Sequence, residues 1–150
     1  MAKVLIKNKE AAFHYEILER YEAGIELKGF EVKSLISGKG SLKSAYVSNY
    51  GGELFLVKAH IPPYQEKNAP PDYDSERPRK LLLKRREINY LIGKIKEKRL
   101  TLIPLSIILK NRLIKVELGL ARGLKKYEKK EKIKKRDFER EKRRELKNLI

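Results

Sequence analysis

Two runs rich in β-forming residues, Thr101 to Lys110 and Leu113 to Leu120, are separated only by Asn111-Arg112. A two-residue link forces the chain back on itself, so these runs predict an antiparallel hairpin. Asparagine supplies the left-handed backbone that such a turn demands. A second hairpin is predicted where Ala45 to Tyr50 and Leu54 to Ile61 flank Gly51-Gly52. His14 to Leu27 reads as one long strand marked by Tyr15, Ile17, Tyr21, Ile25 and Leu27, with Gly24 allowing a bend or bulge. Two helices interrupt the strands. A short one is expected over Phe30 to Ser37, ending at Gly38. A longer one covers Arg85 to Lys98, where Ile88, Leu91, Ile92 and Ile95 follow the i, i+3, i+4, i+7 pattern of a buried stripe. Pro62 to Pro78 is expected to be an irregular, exposed loop. A mainly β chain with five or six short strands and one good helix points to a small closed barrel.

Charge narrows the partners. The 150 residues carry 37 Lys and Arg against 20 Asp and Glu, a formal charge of +17. Solubility needs a net charge of only about 2–8 in a small domain, so the excess implies a polyanion. Nucleic acid is favoured over a membrane surface, which would call for a basic helix with a clean Leu/Phe/Trp face. Among small barrels, the oligonucleotide-binding kind then leads. The 41% hydrophobic content suffices for a core. The absence of cysteine excludes disulfides, thiolate zinc sites and cysteine nucleophiles. MAKVLIKNKE has no apolar signal region. The longest uncharged stretch, Leu100 to Leu109, contains Pro104 and falls short of the roughly 18 residues of a spanning helix. A soluble, cytoplasmic protein is expected.

Catalytic parts are few. His14 and His60 lie far apart in predicted strands, where a satisfied structural histidine is the commoner role. No His/Asp/Glu group has metal-ligand spacing, and Gly38-Lys39-Gly40 follows a helix rather than preceding one, which fits a helix cap and not a phosphate loop. No enzyme, metal or cofactor is expected. Binding parts are more plentiful. Arg77, Arg79, Lys80, Lys84, Arg85 and Arg86 bracket Leu81-Leu82-Leu83, leucines for a core beside cations for a phosphate groove. Glu22, Glu26 and Glu31 are read either as surface partners of lysines or as acceptors for a sugar hydroxyl or base edge. Tyr15, Tyr46, Tyr64, Tyr73 and Tyr127 offer stacking surfaces, although burial is the usual fate of a strand tyrosine.

Composition changes at Gly123, giving a body over residues 1–122 and a tail over 123–150. The tail holds thirteen Lys and Arg against six Asp and Glu. Its apolar residues follow neither a 3.6 period nor a heptad, so no stripe faces a core. Glu128/Lys132, Glu131/Lys135 and Glu139/Arg143 are i,i+4 pairs, each worth roughly 0.2–0.5 kcal/mol to a helix. The expectation is a mixture of coil and transient helix that orders on phosphates.

The motifs then gather into a known pattern. Asn8-Lys9-Glu10-Ala11, Tyr21-Glu22-Ala23-Gly24-Ile25-Glu26-Leu27 and Gly29-Phe30-Glu31-Val32-Lys33-Ser34-Leu35 are followed in order by Arg79-Lys80-Leu81-Leu82-Leu83, Arg86-Glu87-Ile88, Thr101-Leu102-Ile103-Pro104-Leu105, Lys115-Val116-Glu117-Leu118-Gly119, Ala121-Arg122-Gly123 and Ile133-Lys134-Lys135-Arg136-Asp137. Over nearly the whole chain this resembles the family of small protein B, the SsrA-binding proteins. The resemblance implies a closed oligonucleotide-binding-type barrel, with a C-terminal tail disordered in the free protein. It also implies a monomer that binds the transfer-RNA-like domain of transfer-messenger RNA, brings it to stalled ribosomes in trans-translation, and lays its tail in the decoding site. By the same resemblance the RNA-binding residues are Glu22, Gly24, Glu31, Lys33, Ser34, Lys80, Leu82, Lys84 and Lys115. The ribosome-facing tail residues are Gly123, Lys125, Lys126, Tyr127, Lys129, Lys130, Lys134, Lys135 and Arg136. Leu124, Glu128 and Lys130 stand where the family usually has Lys, Asp and Arg. A non-selective ribosomal or nucleoid protein is the rival reading.

Overall fold

The structure is a computed structural model that describes residues 2–97 and 100–148. Seven strands form one antiparallel sheet in the order β1-β6-β7-β2-β5-β4-β3, with β1 over Lys3–Lys7, β2 over Tyr15–Ile25, β3 over Tyr46–Tyr50, β4 over Glu53–Val57, β5 over Arg79–Leu82, β6 over Leu100–Lys110 and β7 over Leu113–Gly123. The helices are α1 (Ala11–His14), α2 (Gly29–Ile36), α3 (Arg85–Ile95) and α4 (Lys126–Asn148). Among the described residues no helix is long and apolar enough to cross a membrane.

Both predicted hairpins form. Gly51 and Gly52 turn β3 into β4 with φ of 60° and 78°, and Asn111 and Arg112 turn β6 into β7 with φ of 52° and 65°. Positive φ at both central residues matches the turn to the twist of its strands. The long strand β2 kinks between Ile17 and Glu19, not at Gly24. A second bulge separates Pro104 from Ser106 in β6, where a missing N–H is tolerated. Asn8 is held there, its backbone N–H donating to the Leu105 carbonyl and its side chain to the Pro104 carbonyl, both at 2.9 Å. Strands β1 and β5 and the helix α1 were not marked by their own sequence patterns.

The expected closed barrel is corrected at the level of hydrogen bonds. The sheet curls until β3 brings Cα atoms within 8 Å of β6, yet no ladder joins β3 to β1 or β6 among the described residues. The seam is filled by packing instead. Leu42 from the α2–β3 loop is buried in the same core as Leu35, Leu54, Leu56, Ile61, Leu81, Leu91, Leu102, Ile107, Val116 and Leu118. Each such side chain contributes about 1.5–3 kcal/mol by leaving water.

Helix α2 starts where the Lys28 N–H donates to Glu31 Oε1 at 2.7 Å, and stops at Gly38 (φ 83°), with the Lys39 N–H returning to the Ser34 carbonyl. Helix α3 starts in the same way at Lys84, whose N–H donates to Glu87 Oε1 at 3.2 Å, and buries Ile88 and Leu91. Its predicted end at Lys98 lies outside the described residues.

The tail, expected as a mixture of coil and transient helix, takes the form of α4, a 23-residue helix. Its first turn is capped, since the Lys125 N–H donates to Glu128 Oε1 at 3.2 Å, and Glu128 also takes Arg122, which reaches across to Glu16. Lys132 Nζ donates to the Ala12 and Tyr15 carbonyls at 3.0 and 3.3 Å, and the Arg136 guanidinium lies 4.6 Å from the centre of the Phe13 ring. Polar anchors thus stand in for the apolar stripe that the tail lacks.

Candidate nucleic-acid interface

One face of the sheet is core; the other carries a small second cluster of Ala11, Ile103 and Ala121 where α1 covers it, and is open where β5, β2 and β7 run side by side. Directly opposed residues share a face, and Ala23, Leu81 and Val116 point inward with essentially no exposure. Their neighbours Gly24, Leu82 and Lys115 therefore point outward. Gly24 pairs with Leu82 on one side and with Lys115 on the other, so three sequence-distant residues stand in one row across β5, β2 and β7. The row spans about 10 Å, two strand spacings. A Cβ on Gly24 would sit 3.2 Å from Leu82 Cβ, so glycine is what lets Leu82 lie across β2. Leu82 is 47% exposed, a leucine spent on the surface. Glu22 lies two residues along the same face and accepts from Lys110 Nζ at 3.1 and 3.2 Å. Lys80 extends the face along β5, half-buried, and Lys84 stands exposed where β5 gives way to α3.

Helix α2 divides its expected RNA-binding residues between surface and interior. Lys33 is exposed on α2, whereas Glu31 and Ser34 are fully buried. Two arginines of the predicted phosphate groove converge on Glu31. Arg77 donates to both of its carboxylate oxygens, at 2.5 and 3.1 Å, and Arg79, itself fully buried, donates at 2.8 Å. The Tyr73 hydroxyl lies 2.8 Å from the same carboxylate and accepts from Arg79 at 3.0 Å. Burial alone would raise the Glu31 pKa. The donors from Arg77, the Lys28 backbone, Tyr73 and Arg79 outweigh it and hold the carboxyl at about 2. Burial and the bond to Glu31 push Tyr73 up to about 12. Glu31, expected to contact RNA, is thus engaged inside the protein, and the Ser34 hydroxyl is buried beside it. Glu31 pins the proline-rich loop, through Tyr73 and Arg77, beside β5. That loop is irregular apart from one 3-10 turn at Glu66–Asn68 and largely exposed, as expected, with Tyr73 and Arg77 tying it down. Tyr73 carried no signal of this part beyond being an aromatic in a polar loop.

In the tail, Lys125, Lys130, Lys134 and Lys135 are exposed, Lys129 is half-buried and Arg136 rests on Phe13. Gly123 closes β7 opposite Tyr15. The side chains of Lys126 and Tyr127 lie outside the described residues. Elsewhere His60 shares a 3.0 Å hydrogen bond with Ser75, and among the described residues no His/Asp/Glu group is arranged to hold a metal ion.

These features define a class: a strongly basic, curled antiparallel-sheet protein with an open outer face and a cationic helical tail. Residues 5–148 match the family described as SmpB protein. The SsrA-binding protein of Gloeothece citriformis is 47% identical over 145 residues, covering 97% of this chain and 94% of that one. That of Thermosipho africanus is 49% identical over 139 residues, covering 92% and 93%. A solved chain described under "tmRNA-SmpB: a journey to the center of the bacterial ribosome" is 47% identical with a TM-score of 0.66, covering 80% of this chain and 84% of that one. The chain belongs to the SmpB protein family.

Proposed function

We propose that this protein is the RNA-binding partner of transfer-messenger RNA: it holds the transfer-RNA-like domain, carries it to stalled ribosomes and takes part there in rescue and peptide tagging. The observation that carries the reading is the row Leu82, Gly24 and Lys115, in which three separate motifs of the sequence meet on one open face. An exposed aliphatic side chain beside a lysine, with Glu22 as acceptor, suits a folded RNA recognised by shape, sugar hydroxyls and phosphates. The curled sheet works as oligonucleotide-binding barrels do, with a body over 1–122 and a tail over 123–150. Lys33, Lys80 and Lys84 add phosphate contacts, and the cations of α4 enter the decoding site. The protein acts as a cytoplasmic monomer without cofactor or catalytic group.

The test is competition between a transfer-RNA-like transcript and a duplex of equal length. The account expects the transcript to win at physiological salt, and Leu82→Ala and Lys115→Ala to erase the preference. Equal affinity for both RNAs favours the non-selective reading.

A further inference from the structure

The open face does not stop at β5. Lys80 is opposite Phe55, Phe55 is opposite Ser48, and Tyr50 and Glu53 face each other one step further along. Ser48, Tyr50, Phe55, Val57 and Pro78 enclose an open groove of about 410 Å³. Tyr50 is 78% exposed, and its ring meets Phe55 edge to face with centroids 6.4 Å apart. An exposed Tyr50 over a half-buried Phe55 supplies nothing to the core, which lies on the other side of β4 with Leu54 and Leu56.

We infer that this hairpin face is a stacking shelf for unpaired RNA bases, extending the Gly24 row across β5. The inference rests on the function proposed above. Two observations select RNA as the occupant. The shelf is continuous with that row through Lys80, a cation in no ion pair among the described residues. Its one acidic residue, Glu53, which would repel a phosphate, is engaged by Arg85, whose other nitrogen donates to the Gly52 carbonyl. Aromatic faces beside a free cation suit single-stranded nucleic acid, since every base has a face to stack and a phosphate to neutralise.

The experiment compares wild type, Tyr50→Ala, Tyr50→Phe and the double variant Tyr50→Ala/Phe55→Ala. The probes are a short oligoadenylate and the transfer-RNA-like transcript, with thermal unfolding measured in parallel. The shelf predicts that Tyr50→Ala loses at least about fivefold in affinity for oligoadenylate, the double variant loses more, and Tyr50→Phe retains wild-type affinity. Tyr50→Ala should unfold like wild type, so its result stands even where the double variant is destabilised. Unchanged affinity of Tyr50→Ala for both probes overturns the inference. If wild type shows no preference for the transcript over duplex, the proposed function fails, and the oligoadenylate series still decides the shelf.

Discussion

Glu31 shows how one residue can be misread when its chemistry is judged by charge alone. An acid in a basic chain suggests a surface contact, yet it neutralises Arg77 and Arg79 under the proline-rich loop. Removing one partner of a buried ionic cluster typically costs about 3–5 kcal/mol, so Glu31→Ala should lower the unfolding midpoint sharply while Lys33→Ala, on the exposed face of the same helix, should not. The folded-state pKa of about 2 lies below the ordinary glutamate range. The stabilisation is therefore complete above about pH 5 and lost as pH falls toward 2. In thermal melts, the gap between wild type and Glu31→Gln should narrow steadily over that window; a constant gap would contradict the assignment. Glu22 makes the opposite case. It is exposed and its bond to Lys110 is a surface ion pair of small worth. If RNA also donates to it, Glu22→Ala weakens binding by an amount on the order of 1.5–3 kcal/mol despite raising the net charge. Affinity equal to or better than wild type at matched salt would leave Glu22 only its lysine.

At the scale of elements, β2 is the axis of the account. Its pairing with β5 is only two residues long, Gly24 with Leu82 and Ile25 with Leu81. A valine at Gly24 would drive Leu82 off the strand, so Gly24→Val should cost RNA affinity out of proportion to its effect on melting. Losses that track each other would reduce Gly24 to a packing residue. The tail helix gives a second check. A peptide over 124–150 should show partial helicity by circular dichroism that falls with added salt, because its i,i+4 pairs are screened. The full chain should retain more, through Lys132 and Arg136. The two hairpins and α3 were legible because two-residue turns and a 3.6 period are local signals. Strand β5 was not, since its alternation is only four residues long and its first inward residue is an arginine, Arg79. Nor was the docking of α4, which depends on carbonyls at the end of α1 that no pattern announces. The Gly24, Leu82 and Lys115 row followed from motif resemblance, and only the register of three strands shows why those motifs belong together.

For the whole molecule, +17 on 150 residues sets the long-range behaviour. If about five to seven phosphates are neutralised, log K should fall against log[salt] with a slope of roughly −4 to −6. A slope near zero would remove the electrostatic argument. The central claim, that body and tail divide recognition from rescue, is tested most directly by a chain ending at Gly123. It loses +7 and keeps all seven strands. Peptide tagging on stalled ribosomes is measured beside affinity for the transfer-RNA-like transcript. The account predicts nearly retained affinity and abolished tagging; normal tagging by the truncated chain, or loss of both together, would contradict it.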